Sequence, residues 1–177
     1  MDTTVITVSG PPGSGTTTVA RMLAEKTEFR HVNMGDIFRE LAEEHRMELN
    51  HFERYCEEHP EIDREIDKKQ EEILRRGDVV MEGRLSGWIA HLRGIRALKV
   101  WLECDEQEAV RRIIEREGGE APERRKETME RMESERRRYR KFYGIDTEDR
   151  SIYDLVIDTT SIPPEKVVET ILQHLKA

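Results

Sequence analysis

Gly10-Pro11-Pro12-Gly13-Ser14-Gly15, followed by Thr16, Thr17 and Thr18, is the stretch of this sequence richest in chemical possibility. Glycines let backbone N–H groups come close to phosphate oxygens, and the start of a following helix adds partial positive charge. A hydroxyl at the last position of such a loop, here Thr17, reaches a magnesium ion, so Gly10 to Thr18 are the candidate holders of a nucleotide's phosphates. One position departs from the general pattern. Thr16 stands where that pattern has a lysine, whose ammonium would lie on the terminal phosphates. The missing charge must then come from Mg²⁺ and from arginines elsewhere. A Gly-rich turn with no chemical role, or a degenerate loop that binds without catalysing, are the plainer alternatives.

A second set of residues suits an acceptor phosphate. Asn33-Met34-Gly35-Asp36-Ile37-Phe38-Arg39 closes one extended stretch and opens a helix, with Asp36 its expected cap and Arg39 three residues on. Glu82-Gly83-Arg84 follows Val79-Val80-Met81, at the carboxyl end of a strand, where open parallel sheets bind ligands. Arg84 offers a bidentate fork to a phosphate. Singly, each arginine reads as a surface cation. Together, beside a phosphate loop, Asp36, Arg39, Gly83 and Arg84 make a candidate second phosphate site.

The elements that must position these residues alternate along the chain. Val5-Ile6-Thr7-Val8 reads as a buried strand ending at the Gly-rich loop, and residues 16–26 show helical spacing with Val19, Ala20, Leu23 and Ala24 on one face. Residues 29–33, 79–81, 97–102 and 155–157 read as further strands. Residues 36–76 are helical, with breaks near 47–50 and at Pro60. Asp105 and Glu108 form a capping-box-like start to a helix reaching 117, both carboxylates serving its free amides. Gly118-Gly119-Glu120-Ala121-Pro122 is a hinge-like break before a polar helix over 124–142. Pro163-Pro164 opens a last helix with Val167, Val168, Ile171, Leu172 and Leu175 inward. The alternation predicts an α/β fold, a doubly wound parallel sheet covered on both faces. The polar stretches 36–76 and 118–145 read as insertions in one domain, with a core of 1–35, 77–117 and 146–177.

Composition narrows the function classes. With 177 residues the chain suits one domain. Charged residues make up 38%, yet 30 basic against 38 acidic side chains leave a net charge of −8, which disfavours non-specific nucleic-acid coating. Cys56 and Cys104 show no CxxC spacing, and Cys104 reads as a small buried hydrophobe. The six histidines show no metal-ligand spacing. Trp88, Trp101, Met22 and Leu23 read as core or core-edge residues. No run of apolar residues is long enough to span a membrane, and Met1-Asp2-Thr3-Thr4 does not begin a secretory leader, so a cytoplasmic protein with no membrane or nucleic-acid partner is expected.

The loop, the Gly-Asp-Ile-Phe-Arg segment, the Glu-Gly-Arg segment and the Arg-rich stretch after a Gly-Gly hinge together resemble the nucleoside monophosphate kinases. Within that family the likeness is to the short cytidylate kinases of archaea, and it covers nearly the whole chain. The resemblance makes Gly-Thr-Thr-Thr unsurprising in place of Gly-Lys-Thr-Thr. It implies a five-stranded parallel core, a monophosphate-binding insertion around 36–76 and a mobile lid around 118–140. It also implies ATP and Mg²⁺ as cofactors, CMP or dCMP as the small-molecule acceptor, and a monomer as the default assembly.

Residues 61–71 bear on which base is read. Ile62, Ile66 and Ile73 form an apolar stripe, while Asp63, Asp67 and Glu71 stack at four-residue intervals. Either this is a solvated acidic edge offset by Arg64, Lys68 and Arg75, or one aspartate accepts the exocyclic amine of cytosine while Arg64 donates to the ring's acceptor edge. Adenine also carries an amine, so the preference for cytidine rests on the resemblance. Most arginines after the hinge alternate with glutamates and read as a salt-bridged solvent face. Likeness to the family's lid picks out Arg131 and Arg138 as catalytic, with Arg136 and Arg112 behind them. An adenylate kinase or other small-acceptor kinase of the same fold remains open, as does an ATP-binding assembly factor or switch that transfers nothing.

Overall fold

Apolar side chains in the strands alternate between two buried faces, and this settles the layering of the computed structural model, which describes residues 4–176. Most of the amino-terminal segment read above, Met1 to Thr3, lies outside the described residues. The strands are β1 (Val5–Ser9), β2 (Arg30–Asn33), β3 (Val79–Glu82), β4 (Leu98–Glu103) and β5 (Leu155–Asp158). They form a single sheet in the order β2-β3-β1-β4-β5, with every neighbouring pair parallel. Parallel strands require crossovers, and helices supply them. These are α1 (Thr16–Thr27), α2 (Met34–Glu44), α3 (Leu49–Glu58), α4 (Pro60–Arg76), α5 (Ser86–Leu92), α6 (Glu106–Glu117), α7 (Ala121–Tyr143) and α8 (Pro164–Lys176).

On one face Ile6, Val8, Val80, Val100 and Leu102 pack against Val19, Ala20 and Leu23 of α1 and Val167, Val168 and Ile171 of α8. On the other, Val5, Val79 and Met81 meet Leu74 of α4, Ile89 and Ala90 of α5, and Tyr139 of α7. Because adjacent strand residues point to opposite layers, a strand buried on both sides reads as an unbroken apolar run. A third cluster, Leu41, Ala42, Phe52, Cys56 and Ile62, holds α2, α3 and α4 together. Burial pushes the Cys56 thiol up to about 12, so it is inert filling.

Several local expectations need correction. Asn33, not Asp36, caps α2: its Oδ1 accepts from the Gly35 N–H at 2.8 Å, and Asp36 falls inside the first turn. Asp105 does cap α6, accepting from the amides of Gln107 and Glu108 at 3.1 and 3.4 Å. Glu108 does not close a capping box, because its carboxylate binds Arg111 and Arg112 instead. Those guanidiniums, Arg111 first, hold its pKa down to about 2. The short helix α5 was not anticipated. Cys104 is half-buried rather than enclosed. Among the described residues, no helix is long and apolar enough to cross a membrane.

Candidate active site

Strand register brings the chemistry to one level. Val8 of β1 and Asn33 of β2 both stand opposite Glu82 of β3, so the segments leaving these three strands emerge side by side at their carboxyl ends. The chain runs outward from β1 through β2 and back to β3, then crosses to β4. That reversal of direction is where open α/β sheets form a ligand crevice.

The loop after β1 is shaped by close approaches. A Cβ on Gly10 would lie 2.6 Å from the Leu102 carbonyl oxygen, and one on Gly13 would lie 2.6 Å from that of Ala109. Gly13 also has φ of 81°, a conformation only glycine adopts without strain. The loop's carbonyls are taken up by side-chain donors. The Gly10 carbonyl accepts from Arg84 Nη1, and the Pro11 carbonyl from Ser14 Oγ at 2.7 Å. The Gly13 carbonyl accepts from Arg112 Nη1 at 3.2 Å, and that of Ser14 from Thr159 Oγ1 at 2.7 Å. With these acceptors occupied, the amides in the first turn of α1 remain for an anion. No acidic side chain lies in that turn to compete.

Thr17 Oγ1 donates to Glu82 Oε1 at 2.5 Å, Thr16 Oγ1 lies 3.3 Å from the same oxygen, and His31 Nε2 lies 3.2 Å from Oε2. Glu82 is only 6% exposed. Glu82 is the functional residue that sequence reasoning misses, although it lies in the Glu-Gly-Arg segment. The signal available was a carboxylate ending a β-branched strand beside an arginine, a costly place for a charge without partners. Thr18 is half-buried one position further along α1.

Arg84 joins two halves of the crevice. Beyond its bond to Gly10, its Nε donates to Glu135 Oε2 of α7 at 3.1 Å, and Arg131 Nε lies 3.4 Å from Glu135 Oε1. Gly83 packs tightly beside it: a Cβ there would meet Ser86 Oγ at 2.7 Å, and Ser9 Oγ donates to its carbonyl at 2.7 Å. Arg39 and Asp36 are exposed and bound to each other at 2.7 Å, so they are not drawn into this cluster.

The acidic edge of α4 turns inward, not to solvent. Asp63 and Asp67 are each 7% exposed, whereas Arg64 faces solvent, so the structure does not bring Arg64 together with these aspartates. The helical phase explains it, since Asp63 and Asp67 share a face with buried Gln70 and Leu74, and Arg64 shares one with exposed Lys68. Arg138 of α7 takes the place of Arg64. Its charge lowers the Asp63 carboxyl, which burial raises more strongly. Asp63 Oδ2 and Arg138 Nε are both buried with no hydrogen-bond partner among the described residues. Burial raises Asp67 to about 6, opposed by its hydrogen bond with Tyr143.

The arginines thus divide. Arg131, Glu135 and Arg138 share one face of α7 by their spacing, whereas Arg136 pairs with Glu148 at 3.0 Å on another side. Arg136 nonetheless lines one cleft together with Pro11, Arg84, Glu135, Trp88 and Trp101, where the Arg150 guanidinium lies 3.9 Å from the Trp101 ring centre. Arg112 is on α6 and touches the phosphate loop itself.

A family model described as the cytidylate kinase-like family matches residues 5–161. A cytidylate kinase of Methanocaldococcus jannaschii is 45% identical over 176 residues, covering 97% of this chain and 99% of that protein. A cytidylate kinase of Archaeoglobus fulgidus is 48% identical over 172 residues, covering 97% and 94%. The solved shikimate kinase from Acinetobacter baumannii in complex with shikimate superposes with a TM-score of 0.62 at 16% identity, covering 98% of this chain and 93% of that one, a likeness of fold.

Proposed function

The chain belongs to the cytidylate kinase-like family and transfers the terminal phosphoryl group of ATP to CMP, and we propose that the residues assembled above carry out that transfer. The observation that supports this placement is the convergence of the phosphate loop, Glu82 and the Arg84–Glu135–Arg131 cluster at the ends of β1 and β3. Near-full-length identity of 45–48% to archaeal cytidylate kinases decides between this activity and the other small-acceptor kinases that the motifs left open.

In this reading Gly10 to Thr18 hold the donor phosphates through loop and helix amides. The Thr17 hydroxyl and the Glu82 carboxylate are adjacent hard oxygen donors, a pair suited to Mg²⁺. When bound, the ion supplies positive charge to the phosphate oxygens, a task the absent lysine would otherwise share. Arg84 and Arg39 hold the acceptor phosphate, Arg39 after release from Asp36. The acceptor oxygen is already ionised, so no strong general base is needed, and catalysis is positioning plus cationic charge.

Arg131 and Arg138 supply that charge from α7. Residues 118–145 close as a lid on Gly118 and Gly119, whose positive φ values of 76° and 96° mark the break between α6 and α7. Closure excludes water, which would otherwise compete as acceptor. The remainder is divided between a core of 1–35, 77–117 and 146–177 and a monophosphate-binding insertion of 36–76. The unpartnered oxygen of Asp63 accepts the exocyclic amine of cytosine. Uracil lacks that amine and leaves the carboxylate unpaired. Deoxycytidylate presents the same base and is accepted too.

ADP release measured with CMP, dCMP, UMP, AMP and GMP in turn tests the assignment. CMP and dCMP should be turned over at least about a hundredfold more efficiently than UMP, the discrimination expected when a buried polar group is left unpaired. Comparable rates with UMP would remove Asp63 as the reader of the base, and comparable rates with AMP would remove the preference for cytidine.

A further inference from the structure

We infer that His31 is a positioning residue for the phosphate loop, acting through Glu82 on the hydroxyl of Thr17. This rests on the kinase reading above. The starting point is the unusual loop. Where the general pattern has a lysine, the Thr16 hydroxyl stands 3.3 Å from the Glu82 carboxylate and brings it no positive charge. Glu82 is nevertheless buried at 6% exposure, a situation that requires strong partners. The hydroxyls of Thr16 and Thr17 share Oε1, and the nitrogen donor on Oε2 comes from outside the loop, from His31 on β2.

Register makes this contact a consequence of the sheet. His31 is aligned with Val80, two residues before Glu82, so His31 and Glu82 are diagonal neighbours on one face. His31 Nε2 fixes one carboxylate oxygen at 3.2 Å, which leaves the other aimed at Thr17 at 2.5 Å. A threonine hydroxyl has one proton and two acceptor lone pairs. Committing that proton to Glu82 leaves the lone pairs to face a cation. Released from Glu82, the Thr17 hydroxyl has nothing to fix its proton, and its lone pairs are no longer held toward a cation. His31, Glu82 and Thr17 thus form a three-link chain from an outer strand to the phosphate loop.

The test uses the full chain and three variants, His31→Leu, His31→Asn and His31→Gln. Gln keeps an N–H within reach of Glu82, Asn is too short, and Leu has no donor. Mn²⁺ binding in the presence of ADP, without acceptor, is read by electron paramagnetic resonance, together with the melting temperature and the KM for CMP. His31→Leu and His31→Asn are expected to weaken Mn²⁺ binding about tenfold, the usual scale for loss of a group that orients a ligand. KM for CMP should stay within about twofold of the parent, and His31→Gln should restore Mn²⁺ binding to within about twofold. If Leu fails to fold, Asn and Gln carry the comparison. Parent-like Mn²⁺ binding in His31→Asn, or equal loss in Gln and Asn, overturns the inference. Absence of CDP from the parent enzyme would instead overturn the kinase reading, while the Mn²⁺ comparison would still report on His31.

Discussion

Arg112 Nη1 donates to the carbonyl of Gly13 at 3.2 Å, placing a guanidinium from α6 directly against the phosphate loop. The same side chain donates through Nη2 to the Thr159 carbonyl at 2.6 Å, so it ties the loop to the segment after β5. A planar fork spans two carbonyls with fixed geometry, which a point-like ammonium lacks. In a loop with Thr16 in place of lysine, Arg112 at Gly13 and Arg84 at Gly10 are the guanidiniums that touch the glycines.

Arg112→Ala should therefore weaken ATP about tenfold or more, and Arg112→Lys should not rescue it. Titration calorimetry with ATP checks this. Unchanged affinity in both variants would assign Arg112 to scaffolding of the Thr159 segment alone.

Thr17→Ala should lower kcat by about 10²–10³, the range for removing one aligned polar group from a phosphoryl-transfer or oxyanion site, while Thr17→Ser keeps most of it. Steady-state rates across a Mg²⁺ series would show the alanine variant needing more metal. Equal activity of Ala and Ser would exclude the hydroxyl from the reaction.

The buried carboxyl of Asp67 gives a pH dependence of known sign. Burial raises it from an ordinary value near 3.8 to about 6, so the folded state holds its proton more tightly than the unfolded chain. Its contribution to stability is full below that ordinary value and declines as pH rises through about 6. Asp67→Asn should flatten this decline and raise the melting temperature relative to the parent more at pH 7.5 than at pH 4.5. A constant difference at both pH values would mean that Asp67 does not titrate in this window.

Arg131→Ala and Arg138→Ala should each reduce turnover, by an amount approaching about 10³ for whichever touches the transferring group. Only Arg138→Ala should also change the preference for CMP over UMP, because Arg138 faces Asp63 and Arg131 faces Glu135. Near-normal turnover in both would exclude lid arginines from the chemistry.

Gly13→Ala would put a side chain at φ of 81° and a Cβ 2.6 Å from a backbone oxygen. The strained backbone alone costs about 1–3 kcal/mol. Loss of nucleotide binding should accompany a lower melting temperature. A variant with parent-like binding would show that the loop tolerates rearrangement.

What could be read along the chain was local. The phosphate loop announces itself because its glycines and hydroxyls are consecutive, and the Asp105 cap because it lies within three residues of the amides it serves. The break at Pro60 follows from proline's missing N–H, which suits the first turn of α4. Contacts between distant segments were not legible. Glu82 meets Thr17 only after β3 has inserted beside β1, and nothing within either segment signals the partner. The seven-residue helix α5 was invisible for a similar reason. Its Gly87 is needed because Tyr153 lies over it, 2.6 Å from where a Cβ would be. Arg64 faces solvent while Asp63 and Asp67 are buried because neighbouring helical residues point about 100° apart, a difference that depends on which face of α4 meets the rest of the fold.

Glu135 deserves its place between Arg84 and Arg131 for what it implies about vacancy. A phosphate that takes the Nε donors of those two guanidiniums displaces a resident carboxylate, so capture there is an exchange of one anion for another. Such a swap favours a doubly charged newcomer over a singly charged one. It also means that a departing product leaves behind no bare pair of like charges.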